Sequence, residues 1–125
     1  MKKIIIPYKI DIFNIEILFC CCDDFQDVKD YVKKTKMNKA WEDEVINENG
    51  QFDGIVFSDD DTNRPYLIFV QQRKHDWYFY EVLLHETNHV VFYLAKHFGF
   101  TEEPEFQATL QEQLFREFRH LILKK

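Results

Sequence analysis

The stretch DWYFYEVLLHETNHVVFYLAKHFG, residues 76–99, is the part of the sequence that decides the fold. It contains no proline and no glycine before Gly99, and its apolar residues recur every three or four positions, which predicts a helix of about 22 residues. Asp76 is the expected N-cap, and Gly99 lies just past the expected end. Pro104 then suits the first position of a second helix that runs to about Leu123.

The residues before this stretch predict strands and one short helix. Residues 3–22 are rich in Ile, Phe and Tyr, which predicts one long strand, or two strands with a bend near Pro7. Residues 24–36 have apolar side chains at helical spacing, and residues 54–58 and 65–70 predict a hairpin. The expected fold class is therefore α+β in a single layer pair, with a small twisted sheet packed on the long helix and the C-terminal helix.

Composition and charge exclude several classes of protein. The chain has 125 residues, of which 46% are apolar and 30% charged, and this balance excludes disorder, collagen-like repeats and a multi-span membrane protein. The net charge of −6 disfavours binding to nucleic acid or to an anionic membrane, and no apolar run is long enough for a transmembrane helix. We expect one cytoplasmic domain over residues 1–125 that binds neither nucleic acid nor membrane.

Three contiguous cysteines, Cys20, Cys21 and Cys22, have no spacing typical of a disulfide scaffold. Alternate side chains of a strand point to opposite faces of the sheet, so the three thiols cannot form one metal site together. We expect buried free thiols in a reducing compartment.

The long predicted helix contains the H-E-x-x-H motif His85-Glu86-Thr87-Asn88-His89. Residues i and i+4 lie on one face of a helix, so both imidazoles can bind one metal ion at about 2.0–2.1 Å. Glu86 lies about 100° around the helix, where it suits a general base acting on a metal-bound water. The alternative interpretation is a helix with two histidines on a partly exposed face.

A catalytic zinc site needs a third protein ligand and one open position. Gly99 lets the chain reverse, so the last helix can return antiparallel to the motif helix. The preferred ligand is Glu105 in the first turn of that helix, and the other candidates are Glu112, Glu102 and Glu103. Acidic residues at these early positions also have a purely structural explanation, because they are favoured by the dipole at a helix N-terminus.

The segment LHETNHVV, residues 84–91, followed by Gly99 and by EFQA, residues 105–108, resembles zincin metallopeptidases of the gluzincin type. It is most similar to small single-domain metallopeptidases encoded by phages and prophages. The resemblance spans about residues 65–115 and implies a minimal zincin-like domain. It implies a zinc-dependent peptidase in which His85, His89 and Glu105 bind Zn²⁺ and Glu86 is the general base. Thr109 departs from the pattern, since thermolysin-like members have an acidic residue there that supports a ligand histidine.

The same resemblance implies a peptide or protein substrate and an edge strand that lines the cleft. We expect this strand at residues 65–70, because Pro65 suits a strand start, and an extended peptide could pair with it by strand addition. Six side chains are candidate donors to a transition-state oxyanion: Tyr66, Arg73, Tyr78, Tyr80, Tyr93 and His97. The alternative function is a non-catalytic, zinc-stapled phage or bacterial interaction or assembly protein. The small size also favours a homodimer or a protein partner that completes the cleft.

Overall fold

The structure is a computed structural model that describes residues 3–124. Its elements, in chain order, are β1 (Ile4–Ile10), β2 (Ile15–Cys22), α1 (Phe25–Lys34), α2 (Lys39–Ile46), β3 (Gly54–Ser58), β4 (Pro65–Gln71), α3 (Trp77–Phe98) and α4 (Pro104–Leu123). The expected α+β class is confirmed. Within residues 3–124, none of the helices combines the length and the apolar character that crossing a bilayer requires.

The four strands form one mixed sheet in the order β1-β2-β4-β3. β1 pairs antiparallel with β2, β2 pairs parallel with β4, and β3 pairs antiparallel with β4. The prediction that residues 65–70 form the edge strand is therefore wrong, because β4 lies inside the sheet and the two edge strands are β1 and β3. Pro65 is tolerated because it is the first residue of its strand, beside an irregularity in the pairing between Phe57 and Ser58.

Helices cover both faces of the sheet, so the predicted single layer pair is also wrong. Residues of α1 and α2, such as Val28 and Val45, share one cluster with Leu18, Cys20 and Phe69 of the sheet. The alternate strand residues, which point to the opposite face, pack in a second cluster with α3 and α4. The two central strands are accordingly buried at six successive positions each, which is typical of strands covered on both sides.

The N-terminal residues form two strands, but the chain does not turn near Pro7. The reversal lies at residues 11–14, where Phe13 N–H donates to the Ile10 carbonyl at 3.1 Å. Asn14 has φ 54°, a left-handed conformation that Asn tolerates better than most residues. Pro7 lies within the edge strand β1, where a missing N–H need not cost a ladder hydrogen bond.

The polar segment 37–51 contains a helix that the sequence pattern did not reveal. α2 is capped by Asn38, whose side chain accepts hydrogen bonds from the Ala40 and Trp41 N–H groups. Val45 is fully buried, and the Trp41 ring stacks on Tyr66 with ring centroids 4.4 Å apart. Trp41 and Val45 thus attach this segment to the core.

The helix pair that carries the motif matches the sequence expectation. Asp76 caps α3 by accepting a hydrogen bond from Phe79 N–H at 3.1 Å. Gly99 ends the helix with φ 79°, and its N–H donates to the Ala95 carbonyl. Pro104 begins α4, which packs against α3 through a buried row formed by Leu110, Leu114, Phe118 and Ile122. These local signals fix the boundaries of both helices.

Candidate functional site

The two motif histidines lie together on the exposed side of α3. Their Nε2 atoms are 3.1 Å apart and their ring centroids 4.7 Å apart. Two Zn–N bonds of about 2.05 Å to these atoms would subtend an angle of about 98°, within the range of a distorted tetrahedral site. Burial and the neighbouring His85 lower the pKa of His89, which favours the neutral imidazole that binds metals. The pair therefore fits two positions of one zinc ion.

The Glu86 side chain lies between α3 and the start of the edge strand β3. It is only 7% exposed, and no hydrogen bond to its carboxylate is found among residues 3–124. Burial raises the pKa of Glu86, although the adjacent His85 acts in the opposite direction. The Glu86 oxygens keep some contact with solvent, since within residues 3–124 they are not among the fully buried polar atoms that lack a partner. A carboxyl group with a raised pKa in a cleft is typical of functional sites.

Gly54, the first residue of the edge strand β3, packs directly against Glu86. A Cβ atom on Gly54 would lie 2.7 Å from Glu86 Cγ and 3.0 Å from both Glu86 Oε2 and Val82 Cγ1. Only glycine allows β3 and α3 to approach this closely. The sequence pattern predicts only that Gly54 starts a strand; a glycine in a strand is the one sequence signal of a close approach here.

An open cleft runs between β3 and α3, and it has two adjoining parts that share Gly54, His85 and Glu86. One part, of about 320 Å³, is also lined by Asp53, Tyr78, Glu81 and Val82. The other, of about 260 Å³, is also lined by Ile55, Val56, His89 and Tyr93. The first part is therefore acidic, whereas the second combines the two histidines and Tyr93 with the apolar Ile55 and Val56.

The structure does not bring a third ligand to the histidine pair. Glu105 lies in the first turn of α4 and is exposed, and Glu112 is exposed with Arg116 Nη2 3.8 Å from its Oε1. Within residues 3–124, no three His, Cys, Asp or Glu side chains converge so that they could hold a metal ion. His85, His89 and Glu86 thus lie together, and the assignment of Glu105 as a ligand stays a prediction.

The six candidate oxyanion donors divide clearly by position. Tyr93 and Tyr78 line the cleft, and the Tyr78 hydroxyl donates to the Asp53 carboxylate. The other four lie elsewhere or make other contacts. Tyr66 donates a hydrogen bond to Glu44 of α2, and Tyr80 packs at the edge of the core. Arg73 lies over the Tyr78 ring, and His97 Nδ1 donates to the Thr62 carbonyl. Tyr93 is the candidate that lies beside both histidines and Glu86.

The three cysteines lie in β2, and an acidic turn at residues 59–63 connects β3 to β4. Cys20 and Cys22 lie on one face of the sheet and Cys21 on the other, and all three thiols are free and buried. This alternation between the two faces is the one expected from the strand geometry. In the acidic turn, the Asp59 carboxylate accepts hydrogen bonds from the Asp61 N–H and the Trp41 Nε1–H, so it closes the turn and anchors α2.

In comparisons with protein-family models, curated proteins and solved structures, the chain matched no family model, no curated protein and no solved structure.

Proposed function

We propose that the chain is a zinc-dependent peptidase in which His85 and His89 bind Zn²⁺ and Glu86 is the general base. The observation that carries the proposal is the Glu86 carboxylate, which has no hydrogen-bond donor within residues 3–124 and lies in an open cleft beside a histidine pair with a 3.1 Å Nε2 separation. A histidine pair that only joins two helices through a metal ion gains nothing from a carboxylate at this position. Burial raises the pKa of Glu86, and such shifts are concentrated at functional sites.

Each residue has a defined role in this proposal. When bound, zinc would act as a Lewis acid and lower the pKa of a coordinated water towards about 7. The Glu86 carboxylate accepts a proton from the water that attacks the carbon of the peptide carbonyl. It then delivers this proton to the amine nitrogen that leaves when the C–N bond breaks. Burial raises the pKa of Glu86 towards the working pH, where a general base is most effective. Tyr93 is the proposed donor to the developing oxyanion.

Glu105 is the proposed third ligand, from the first turn of α4. Since it does not converge on the histidine pair, binding through Glu105 would require the connection at residues 99–103 to rearrange. Gly99 at φ 79° is the residue of this connection with the greatest conformational freedom.

An extended peptide or protein segment is the proposed substrate. β3 is an edge strand, and its Gly54, Ile55 and Val56 line the cleft beside the histidines. The backbone groups on the outer side of an edge strand are free to pair with an added strand. Strand addition would place a peptide bond alongside Glu86. Neither nucleic acid nor a membrane is a proposed partner, because the net charge is −6, and the buried free thiols favour a reducing cytoplasm.

A second candidate is a non-catalytic phage or bacterial interaction or assembly protein in which zinc joins two chains or two helices. Two observations favour it: no third ligand converges on the pair within residues 3–124, and apolar side chains on the same helix are exposed. Trp77 is 79% exposed, and Leu84 and Phe92 are also exposed. A homodimer or a protein partner would cover these side chains in that case.

Elemental analysis of zinc and a peptide-hydrolysis assay separate the two candidates. The peptidase proposal predicts one zinc per chain in the native protein and in Glu86→Gln, but hydrolysis only in the native protein. His85→Ala should lose both zinc and hydrolysis, whereas the exposed His120→Ala, as the matched control, should keep both. Glu105→Gln should weaken zinc binding. Zinc binding that is unaffected by His85→Ala would refute the metal site, and full activity of Glu86→Gln would refute the general base.

A further inference from the structure

A cavity of about 290 Å³ lies on the face of the sheet opposite α3, between the start of β2 and the connection from α1 to α2. This volume is near the lower limit of small-molecule sites, which span about 300–1,000 Å³. The apolar part of its lining includes the buried Leu18 and Tyr66 and the partly buried Tyr31 and Met37. Within residues 3–124, none of its lining residues also lines the candidate peptidase cleft, so the two sites are independent.

Arg64, the residue before β4, lines this cavity and has a donor without an acceptor. Its Nη2 donates to the Glu16 carbonyl oxygen at 3.1 Å. Its Nε is fully covered, and within residues 3–124 it is the one buried side-chain nitrogen or oxygen without a hydrogen-bond partner. No Asp or Glu oxygen of the same residues lies within 4.0 Å of the guanidinium. Such unpaired buried donors are rare in folded proteins, and binding of an acceptor is one of the roles that explain them.

The carboxylates that contact the lining residues are engaged with other donors. The Asp59 carboxylate accepts a hydrogen bond from the Trp41 Nε1–H at 2.8 Å, and the Glu44 carboxylate accepts one from the Tyr66 hydroxyl. The Trp41 ring does hold the guanidinium of Arg64, whose Cζ lies 5.2 Å from the ring centroid. A ring face is only a weak hydrogen-bond acceptor, however. The described residues therefore position this cation without giving it an anionic partner.

The charge of the lining matches a ligand with one negative charge. Lys36 is the second cation of the lining, and Glu16 is the only acidic side chain among the described residues that line it. Two cations and one carboxylate leave a formal charge of +1, which complements a monoanion better than a dianionic phosphate. A planar guanidinium also pairs with a carboxylate through two parallel N–H···O bonds. The partly buried Tyr31 and Met37 add apolar surface for the rest of such a ligand.

We propose that this cavity binds a small organic carboxylate with an apolar body. The carboxylate of the ligand accepts hydrogen bonds from the Arg64 guanidinium, and its apolar part packs against Tyr31 and Met37. Nε is covered in the structure, so a bond to it requires the guanidinium to turn towards the cavity, which a long, partly buried side chain permits. This turn changes the contact between Arg64 and the Trp41 ring, so the fluorescence of Trp41 reports binding.

Fluorescence titration of the full chain tests the proposal. The chain has two tryptophans, and Trp77 is 79% exposed, so Trp77→Phe leaves Trp41 as the reporter without disturbing the core. The probes are 3-phenylpropionate, its neutral amide, phenyl phosphate and acetate. We expect saturable binding of 3-phenylpropionate with a dissociation constant below about 1 mM, and binding at least about tenfold weaker for the other three probes. No saturable change up to about 10 mM 3-phenylpropionate would overturn the proposal. Equal or tighter binding of the amide, of acetate or of phenyl phosphate would overturn it as well.

Variants in the same Trp77→Phe background locate the site. Arg64→Met keeps an unbranched side chain but removes every donor, and it should weaken binding of 3-phenylpropionate about tenfold, which corresponds to about 1.4 kcal/mol. The exposed Lys36→Gln should keep the fold and weaken binding about two- to threefold. Arg119→Gln is the matched control, because it removes an exposed cation from α4 on the other face of the sheet and should leave binding unchanged. Unchanged binding by a folded Arg64→Met would overturn the proposal, and so would an equal loss in Arg119→Gln. If urea unfolding shows that Arg64→Met does not fold, unchanged binding by Lys36→Gln overturns it.

Discussion

Replacing Gly54 by alanine tests the contact on which the candidate site is built. The added Cβ would lie 2.7 Å from Glu86 Cγ and 3.0 Å from Val82 Cγ1, whereas unstrained carbon atoms are about 3.5–4.0 Å apart. Both contacted atoms lie close to the backbone of α3, so neither can move away as the end of a flexible side chain can. The strand and the helix must separate, or Glu86 must change its rotamer.

The expected loss of stability combines two opposing effects. Overpacking of this kind costs about 1–3 kcal/mol. Alanine also restricts the unfolded chain more than glycine does, which offsets about 0.4–1 kcal/mol of that cost. We therefore expect Gly54→Ala to lower the free energy of unfolding by about 1–2 kcal/mol. It should also reduce peptide hydrolysis more than zinc binding, because Glu86 is displaced while the histidines lie on the exposed side of α3.

Urea unfolding followed by circular dichroism measures the effect, and Gly50→Ala provides the matched control. A Cβ on Gly50 meets Glu48 Oε2 at 3.0 Å, which is the end of a flexible side chain, and otherwise only the Phe52 ring at 3.5 Å. This variant should stay within about 0.5 kcal/mol of the native protein. In a Glu86→Ala background, Gly54→Ala should cost less, because the closest contact is gone. Native-like stability of Gly54→Ala would refute the close approach of β3 to α3.

Three further predictions concern the helix ends and the thiols. In Gly99→Ala the new Cβ would have no atom within 4 Å, but alanine would have to adopt φ 79°. We therefore expect the free energy of unfolding in urea to fall by about 1 kcal/mol from backbone strain alone. An unchanged midpoint of urea unfolding would exclude the left-handed cap. Asp76→Ala should lower the free energy of unfolding by about 1 kcal/mol, because it removes the side chain that accepts the hydrogen bond from Phe79 N–H. Asp76→Asn should keep most of the stability, because Asn can still accept this bond. Equal losses in the two variants would show that the charge of Asp76, and not the hydrogen bond, stabilises the helix. Burial raises the pKa of Cys21 and Cys22 to about 12, so the native protein should react slowly with a thiol reagent at pH 8. In the unfolded chain the two thiols lose their protons near pH 8.5, whereas in the folded chain they keep them up to about pH 12. The free energy of unfolding should therefore be constant in this respect below about pH 8.5 and fall between pH 8.5 and 12. The fall should be at most about 1.4 kcal/mol per pH unit for each thiol. A Cys22→Ala variant should show a shallower fall, and identical curves would contradict the assignment.

The helix pair could be predicted from the sequence because its signals are local. Asp76, Gly99 and Pro104 each act on a backbone group one to four residues away, and the apolar spacing in between needs no information from the rest of the chain. The same holds for the adjacency of His85 and His89, which follows from helix geometry alone.

The strand order could not be predicted in this way, because it depends on pairing between distant segments. β2 pairs in parallel with β4 although two helices and β3 lie between them in the chain. The identity of Pro65 favoured an edge position, yet the whole run Pro65–Val70 is buried. By contrast, β3 has only Phe57 fully buried. A continuous apolar run is typical of a central strand, and this signal was stronger than the proline.

The distinction between a functional site and a chance motif lies in the contacts that the motif itself does not specify. Any helix with histidines four residues apart can place two imidazoles together, so the pair alone carries little weight. Glu86 is buried only because β3 lies against α3, and β3 can lie there only because residue 54 has no side chain. Gly54 and Glu86 therefore support the proposal jointly. If alanine at position 54 leaves stability and hydrolysis unchanged, the carboxylate is not held as described, and the histidine pair lacks the partner on which the proposed catalysis depends.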